Sequence, residues 1–267
     1  MNGDLLMHLP EDLYDLVAGM PYETDDIGRS ESTVLRLSDR VLKIEAHKPE
    51  TDESVRMIRW MESRVPVPKV LYYGVEDGKS YLLMKRIPGH MACDEKQMQN
   101  REELHKLLSE ALQLLWQTDI ADCPRVRTLE EDLRKARERV EQGLVDRESF
   151  RPMGFADESF DSPEALLQWL ESHVPDFDPV LCHGDLCLPN VLMEEGRVTG
   201  FIDLGAAAVY DRCSDIADCY WSLRANYHGW FGTKPQPDYD PEDFFRALPD
   251  DVDREKVRFF LLLGCLY

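Results

Sequence analysis

Several common signatures are missing from this chain. No G-x-x-x-x-G-K-[ST] run occurs, which excludes a P-loop nucleotide site. None of the seven cysteines forms a C-x-x-C pair, which argues against a zinc site or redox couple. Their odd number, and the placement of several in apolar runs, fit a reducing compartment where cysteine packs as a small hydrophobe. Long apolar segments are also lacking. The best stretch, residues 259–263 continuing to 267, is far too short to span a bilayer. The opening MNGDLLMHLPEDLYDL carries acids and no basic region before an apolar stretch, unlike a secretory signal, so the expected location is the cytoplasm. Basic residues are scarce: 31 Lys and Arg stand against 52 Asp and Glu, a net charge of −21. That sign excludes nucleic acid and anionic membrane as partners, since both would be repelled. It suits a cationic small molecule, although many soluble proteins are equally acidic and charge alone does not separate the two.

What is present divides into two regions. With 267 residues, 43% of them hydrophobic, the chain can form one large domain or two modest lobes. Residues 32–37 (STVLRL) and 40–45 (RVLKIE) are β-rich runs split by the turn signal Ser38-Asp39. A helix is expected over 53–63, where Val55, Ile58 and Met61 approach helical spacing. Val65-Pro66-Val67-Pro68 stops it, and strands over 69–73 and 80–84 follow around Glu76-Asp77-Gly78. These segments predict a five-stranded sheet with one helix, and Ile87-Pro88-Gly89 marks the boundary. The remainder reads as mainly helical. Residues 102–116 place Leu104, Leu107, Leu108, Ala111, Leu112 and Leu115 on one face. Residues 130–142 read as an exposed charged helix. Ser162-Pro163-Glu164 opens a helix running through Glu171, and residues 253–266 form a closing helix. The expected fold class is α+β, with a sheet lobe over residues 1–88 and a mainly helical lobe over 89–267.

The residues that carry chemistry are concentrated in VLCHGDLCLPNVLMEEGRVTGFIDLG, residues 180–205. Residues 190–193 and 198–202 are apolar strands joined by a turn at 194–197. A hairpin brings its outer ends together, so Asn190 lies beside Asp203, with Asp185 on the loop before them. Singly, these would be a cap, a loop acid and a turn residue. Together they are what phosphoryl transfer requires. A carboxylate and an amide oxygen can hold magnesium, which keeps its other sites for phosphate and water. A second carboxylate accepts the proton of the attacking hydroxyl.

His183-Gly184-Asp185, Asn190 and Phe201-Ile202-Asp203-Leu204-Gly205 resemble the catalytic and metal-binding motifs of the aminoglycoside phosphotransferase family. Residues 187–190 (CLPN), 198–205 (VTGFIDLG) and Asp215-Ile216-Ala217 are similar to its aminoglycoside 3′-phosphotransferase branch. The resemblance covers most of the chain. It implies a two-lobed protein-kinase-like fold, with a nucleotide-binding N-terminal lobe and a catalytic, substrate-binding C-terminal lobe. It implies Asp185 as catalytic base, Asn190 and Asp203 as magnesium ligands, and His183 as a support for the loop. In the first lobe, Lys43 looks like the strand lysine that pairs nucleotide phosphates, and Ile27-Gly28-Arg29-Ser30 like a phosphate-covering loop in which Ser30 offers its N–H and hydroxyl. Residues 81–89 resemble the segment ending in the hinge, with backbone near Lys85 and Ile87 meeting the adenine. The acid partner of Lys43 is expected on the following helix at Glu53, one position from the family's slot at Ser54. The expected nucleotide is ATP, with GTP open, and the expected state is a monomer or homodimer.

Two features point to a small-molecule rather than a protein kinase. Gly184 replaces the arginine of the H-R-D loop, and the segment from Asp203 to Asp215 leaves no room for an activation loop. Constitutive activity follows. The resemblance implies a cationic aminoglycoside as substrate, met by acids of an insert (Glu148, Asp157, Glu158 and Asp161) and by the carboxylate of Tyr267. Two departures keep other readings open. The end Gly264-Cys265-Leu266-Tyr267 lacks the acids common in the family, and Ala206 stands where relatives often carry an arginine, whose role Arg212 or another base would take. The alternatives are a kinase for another small alcohol, such as a macrolide, choline-like or sugar metabolite, and a nucleotide-binding regulator with little catalysis.

Overall fold

The computed structural model describes residues 9–25, 32–145 and 160–267. Its contacts divide the chain into two compact units, Met1–Pro88 and Gly89–Tyr267. The first unit contains α1 (Glu11–Val17), β1 (Tyr22–Asp25), β2 (Thr33–Leu37), β3 (Arg40–Ala46), α2 (Pro49–Met61), β4 (Val70–Glu76) and β5 (Lys79–Lys85). The strands form one antiparallel sheet in the order β1-β2-β3-β5-β4. Alternation along β2 and β3 sends Leu35, Leu37 and Leu42 to one face. There they join Tyr81 and Leu83 of β5 and Leu13 and Val17 of α1 in a buried cluster. The β4–β5 turn uses Asp77 at φ 49° and Gly78 at φ 72°, the left-handed pair that a two-residue hairpin turn demands.

Two details differ from the sequence expectation. Helix α1 is an additional short helix, and its two buried residues are too few to register as periodicity. Helix α2 begins at Pro49, four residues earlier than its apolar pattern, because proline is accommodated in a first helical turn and Glu50 and Asp52 favour the dipole there.

The second unit contains β6 (His90–Met91), α3 (Glu95–Gln99), α4 (Arg101–Trp116), α5 (Leu129–Glu141), α6 (Pro163–Ser172), β7 (Pro179–Cys182), β8 (Val191–Glu194), β9 (Arg197–Phe201), β10 (Ala208–Asp211), α7 (Arg212–Tyr227) and α8 (Arg254–Gly264). Its two small sheets, β6-β8-β9 and β10-β7, are antiparallel. Helix α4 buries the leucine face seen in its sequence. Helix α6 is capped by Ser162, whose Oγ accepts the Ala165 N–H at 3.2 Å.

Helix α5 is not the exposed rod its charge suggested. Leu129, Leu133, Ala136 and Val140 make an apolar stripe, and the helix packs on α6. Helix α7 is buried on nearly every side. A helix surrounded by protein loses the polar face that makes a 3.6-residue pattern visible, which is why the sequence did not announce it. Its first turn is anchored by Asp211, fully buried, which accepts Nζ–H of Lys256 from α8 at 2.6 Å and caps the Cys213 N–H at 2.9 Å. No disulfide joins any of the seven cysteines. Among the described residues, no helix is long and apolar enough to cross a membrane.

Candidate active site

Two strand pairings build this site. Cys182 at the end of β7 pairs with Ala208 at the start of β10, so the loop that begins at His183 and the turn that ends at Ala207 leave the small sheet at one end. Val191 at the start of β8 pairs with Phe201 at the end of β9, and the Ile202 N–H donates to the Asn190 carbonyl at 3.0 Å. Asn190 and Asp203 are therefore neighbours through Ile202. The Asn190 amide closes the remaining gap. Its Nδ2 donates to the Asp185 carbonyl at 2.8 Å and to the Asp185 carboxylate at 3.2 Å. The structure thus brings Asp185, Asn190 and Asp203 together, with Asn190 buried and both carboxylates exposed.

The backbone here adopts unusual conformations. Asp203 has φ 60° and ψ 55°, a left-handed conformation that aspartate tolerates better than most residues. Gly184 has φ 80°, and a Cβ there would stand 2.5 Å from the Ala206 carbonyl oxygen and 3.0 Å from the Ala206 Cβ. Glycine is what lets the loop lie directly on the 204–206 turn. His183 is fully buried, and its Nε2–H donates to the Ile202 carbonyl at 2.9 Å. That bond fixes the backbone immediately before Asp203.

Beneath the loop, Asp215 of α7 is buried and accepts two backbone bonds, from His183 N–H at 2.7 Å and Gly184 N–H at 2.9 Å. Burial pushes its carboxyl above the ordinary value, against the pull of His183 and of those two N–H groups. One turn along, half-buried Asp218 accepts the Leu186 N–H at 3.3 Å. Burial, reinforced by the Asp215 and Asp185 carboxylates, pushes its carboxyl up to about 8. The Cys187 thiol is likewise pushed up, by burial first and the Asp185 carboxylate second, so it is not an activated nucleophile.

The donor set suits a hard cation. The Asn190 Oδ1 accepts no hydrogen bond from the described residues, because the Asp185 contacts engage only Nδ2. The Asp203 carboxylate has no ion pair among them either. No cluster of three or more His, Cys, Asp or Glu arranged to hold a metal occurs among the described residues. One amide oxygen and one carboxylate therefore suit an ion that completes its shell with phosphate and water, as magnesium does.

The other residues singled out from the sequence fall as follows. Lys43 lies on β3 with Nζ 3.2 Å from the Glu45 carboxylate, two residues along on the same strand face. Glu45 also accepts the Thr51 hydroxyl. Glu53, the expected partner, is exposed on α2, and its neighbour Asp52 accepts the Tyr73 hydroxyl at 2.5 Å. Lys85 ends β5, where its N–H is committed to the Lys69 carbonyl at 2.8 Å, and Ile87 follows, half-buried. Ser30, Asp157 and Glu158 lie outside the described residues, as do Gly28, Arg29 and Glu148. Tyr267 packs against α5. Its hydroxyl donates to the Asp132 carbonyl at 2.7 Å, Arg139 lies over its ring, and burial pushes its phenol up to about 12. None of these contacts involves Asp185, Asn190 or Asp203.

Sequence reasoning missed two groups of residues. Asp218 and Ser222 stand at i+3 and i+7 from Asp215, a spacing that marks one face of a helix and was available as a signal. Arg125 carried no local signal. Its Nη1 donates to the Gly205 carbonyl at 2.7 Å and the Ala207 carbonyl at 3.2 Å, bracketing Ala206. Arg212, the base considered for that neighbourhood, is instead paired with Asp178 and Asp251.

Comparison with known proteins accords with this geometry. The profile of the Phosphotransferase enzyme family matches residues 22–259. An aminoglycoside 3′-phosphotransferase of Enterococcus faecalis is 32% identical over 244 residues, covering 90% of this chain and 87% of the relative. One of Niallia circulans is 32% identical over 272 residues, covering 95% of each chain. Among solved structures, a type VIII aminoglycoside 3′-phosphotransferase superposes with a TM-score of 0.72 at 28% identity, over 96% of this chain and 97% of its own. A Streptomyces rimosus aminoglycoside phosphotransferase, solved with ADP and streptomycin, superposes with a TM-score of 0.70 at 25% identity, over 92% of each chain. From its kinase-like α+β architecture, its clustered Asp185, Asn190 and Asp203, and these likenesses, the chain belongs to the phosphotransferase enzyme family, alongside the aminoglycoside 3′-phosphotransferases.

Proposed function

We propose that this enzyme transfers the γ-phosphoryl group of a nucleoside triphosphate to a hydroxyl of a cationic aminoglycoside, the 3′-hydroxyl of a kanamycin- or neomycin-type compound. The observation that carries the reading is the Asn190 amide, which ties the Asp185 carboxylate to the end of the hairpin that presents Asp203. Asp185 is exposed and accepts the proton of the acceptor hydroxyl. The acceptor oxygen forms its bond to the γ-phosphorus as the bond to the β-phosphate bridging oxygen breaks, and the nucleoside diphosphate leaves. Asn190 Oδ1 and the Asp203 carboxylate would hold magnesium, which when bound neutralises phosphate charge. In the first unit, Lys43 meets nucleotide phosphates, Ser30 covers them, Glu53 or Glu45 orients the lysine, and backbone near Lys85 and Ile87 receives the base.

A net charge of −21 supports a polycationic acceptor by steering it in. Phosphorylation would add negative charge to the antibiotic and remove a hydroxyl, which is a resistance function. Seven cysteines without a disulfide fit the cytoplasm, where nucleoside triphosphates are found.

Coupled nucleotide consumption with ATP and GTP over an aminoglycoside panel tests the proposal. Turnover with kanamycin- or neomycin-type compounds is expected, with near-complete loss in Asp185→Ala and on chelation of magnesium. Consumption that stays at background across the panel would refute the aminoglycoside assignment.

A further inference from the structure

Over residues 183–190 the only regular element is the short 3-10 turn Leu188–Asn190, and the Cys187 and Asn190 N–H groups bond to carbonyls within the loop, so the N–H groups of His183, Gly184, Leu186 and Leu188 need partners from elsewhere. Helix α7 supplies them with one stripe of side chains. Asp215 takes the His183 and Gly184 N–H groups. Asp218 Oδ2 takes the Leu186 N–H at 3.3 Å, and Ser222 Oγ takes the Leu188 N–H at 2.9 Å. Between them, the Cys219 thiol donates to the Leu186 carbonyl at 3.1 Å. These acceptors follow the helical spacing i, i+3 and i+7, which keeps them on one face. Asp185 is thus flanked by backbone held from α7 on both sides. Asp215 secures the approach to it, while Asp218 and Ser222 secure the departure toward Asn190.

We propose that Asp218 and Ser222 are positioning residues that aim the Asp185 carboxylate by holding the Leu186 and Leu188 N–H groups. The proposal rests on the reading of Asp185 as the catalytic base. It distinguishes geometry from charge. The groups facing the Asp218 carboxyl are Asp185 and Cys187 of the loop, Asp215 and Cys219 of α7, and Arg127 before α5. In that largely acidic surround, a neutral acceptor of the same shape serves the Leu186 N–H as well as a carboxylate does. An asparagine at 218 therefore preserves the device, and a leucine of similar volume removes it.

The test measures kcat and the nucleotide KM for the parent, Asp218→Asn, Asp218→Leu, Ser222→Ala and Asp185→Asn. Circular dichroism and thermal melting check that each is folded. Acceptor-free nucleotide hydrolysis is followed in parallel, so the outcome does not depend on the choice of aminoglycoside. The expected result is a fall in kcat of about ten- to a hundredfold in Asp218→Leu, since a displaced reacting group costs that order. Its nucleotide KM stays within about twofold, kcat is restored to within about threefold in Asp218→Asn, and Ser222→Ala loses a few-fold in kcat. Folded Asp218→Leu with the parent kcat overturns the proposal, as does Asp218→Asn falling as far as Asp218→Leu. If Asp218→Leu does not fold, Ser222→Ala decides: a reduced kcat at constant KM supports the proposal and an unchanged kcat overturns it. Turnover surviving in Asp185→Asn would instead refute the reading of Asp185 as base. Loss in Asp185→Asn with full activity in Asp218→Leu would refute the positioning role alone.

Discussion

Replacing Gly184 by alanine adds one methyl group at the most tightly packed point of the site. The residue sits at φ 80°, and the new Cβ would meet the Ala206 carbonyl oxygen at 2.5 Å, its carbon at 2.9 Å and the Ala206 Cβ at 3.0 Å. A left-handed conformation costs an L-residue about 1–2 kcal/mol. The reduced freedom of the unfolded chain returns about 0.4–1 kcal/mol. Contact with backbone cannot be relieved by a rotamer change, so the loop must move off the 204–206 turn, at about 1–3 kcal/mol by analogy with overpacked cores. The net expectation is a loss of about 3 kcal/mol. With a urea slope of about 3 kcal/mol/M, that lowers the unfolding midpoint by about 1 M. Tryptophan fluorescence is a suitable probe, because Trp116, Trp169, Trp221 and Trp230 all lie in the unit that contains the loop. Gly205→Ala is the stability control, since its Cβ meets nothing within 4 Å and its φ is not left-handed. The same displacement moves Asp185, so kcat should fall by at least about tenfold. A Gly184→Ala midpoint equal to that of Gly205→Ala, with kcat near that of the parent, would refute the claim that this contact sets the loop.

Other perturbations follow from the same geometry. Lys256→Met leaves the buried Asp211 carboxylate with its two backbone partners but without its counter-ion, and should lower stability by about 3–5 kcal/mol in urea titration. Arg125→Ala removes the bonds to the Gly205 and Ala207 carbonyls and should reduce kcat several-fold while leaving the fold intact by circular dichroism. The Asp218 carboxyl is raised to about 8 in the folded chain, so the folded state binds the proton more tightly than the unfolded state does. Its contribution to stability is greatest at acid pH and declines as pH rises through about 4 to 8. Asp218→Asn removes that decline, so the variant should gain stability over the parent at pH 8 relative to pH 5. Equal differences at both pH values in urea titrations would contradict the assignment.

The chemistry of this chain was largely legible before folding because it is local. Asp185, Asn190 and Asp203 lie within one loop and one hairpin, and hairpin pairing alone predicts that the last two meet. The leucine face of α4 and the Ser162-Pro163 start of α6 were legible for the same reason, since helical spacing and capping act within a few residues. Long-range relations were not. Lys43 was expected to pair with a residue on α2, yet its carboxylate neighbour is Glu45 on its own strand, because the side-chain period of two places positions 43 and 45 on one face. Helix α7 escaped notice because burial on all sides removes amphipathic contrast. Arg125 is 80 positions from Gly205, and nothing in its own neighbourhood foretells that contact.

The sequence by itself determined the identities and short spacings of the groups proposed for phosphoryl transfer, because they are written in one continuous segment. It also located β2, β3 and the starts of α4 and α6 to within a residue, and it assigned the net charge that suits a cationic acceptor. Only the tertiary structure decided how the loop bearing Asp185 is held: by Asp215, Asp218 and Ser222 from α7, with Gly184 pressed on Ala206 and Arg125 over the turn. The physical reason is that this loop satisfies only some of its own backbone N–H groups, those of Cys187 and Asn190. Its other acceptors must come from a helix some 30 residues away in sequence, which the surrounding core places beneath it.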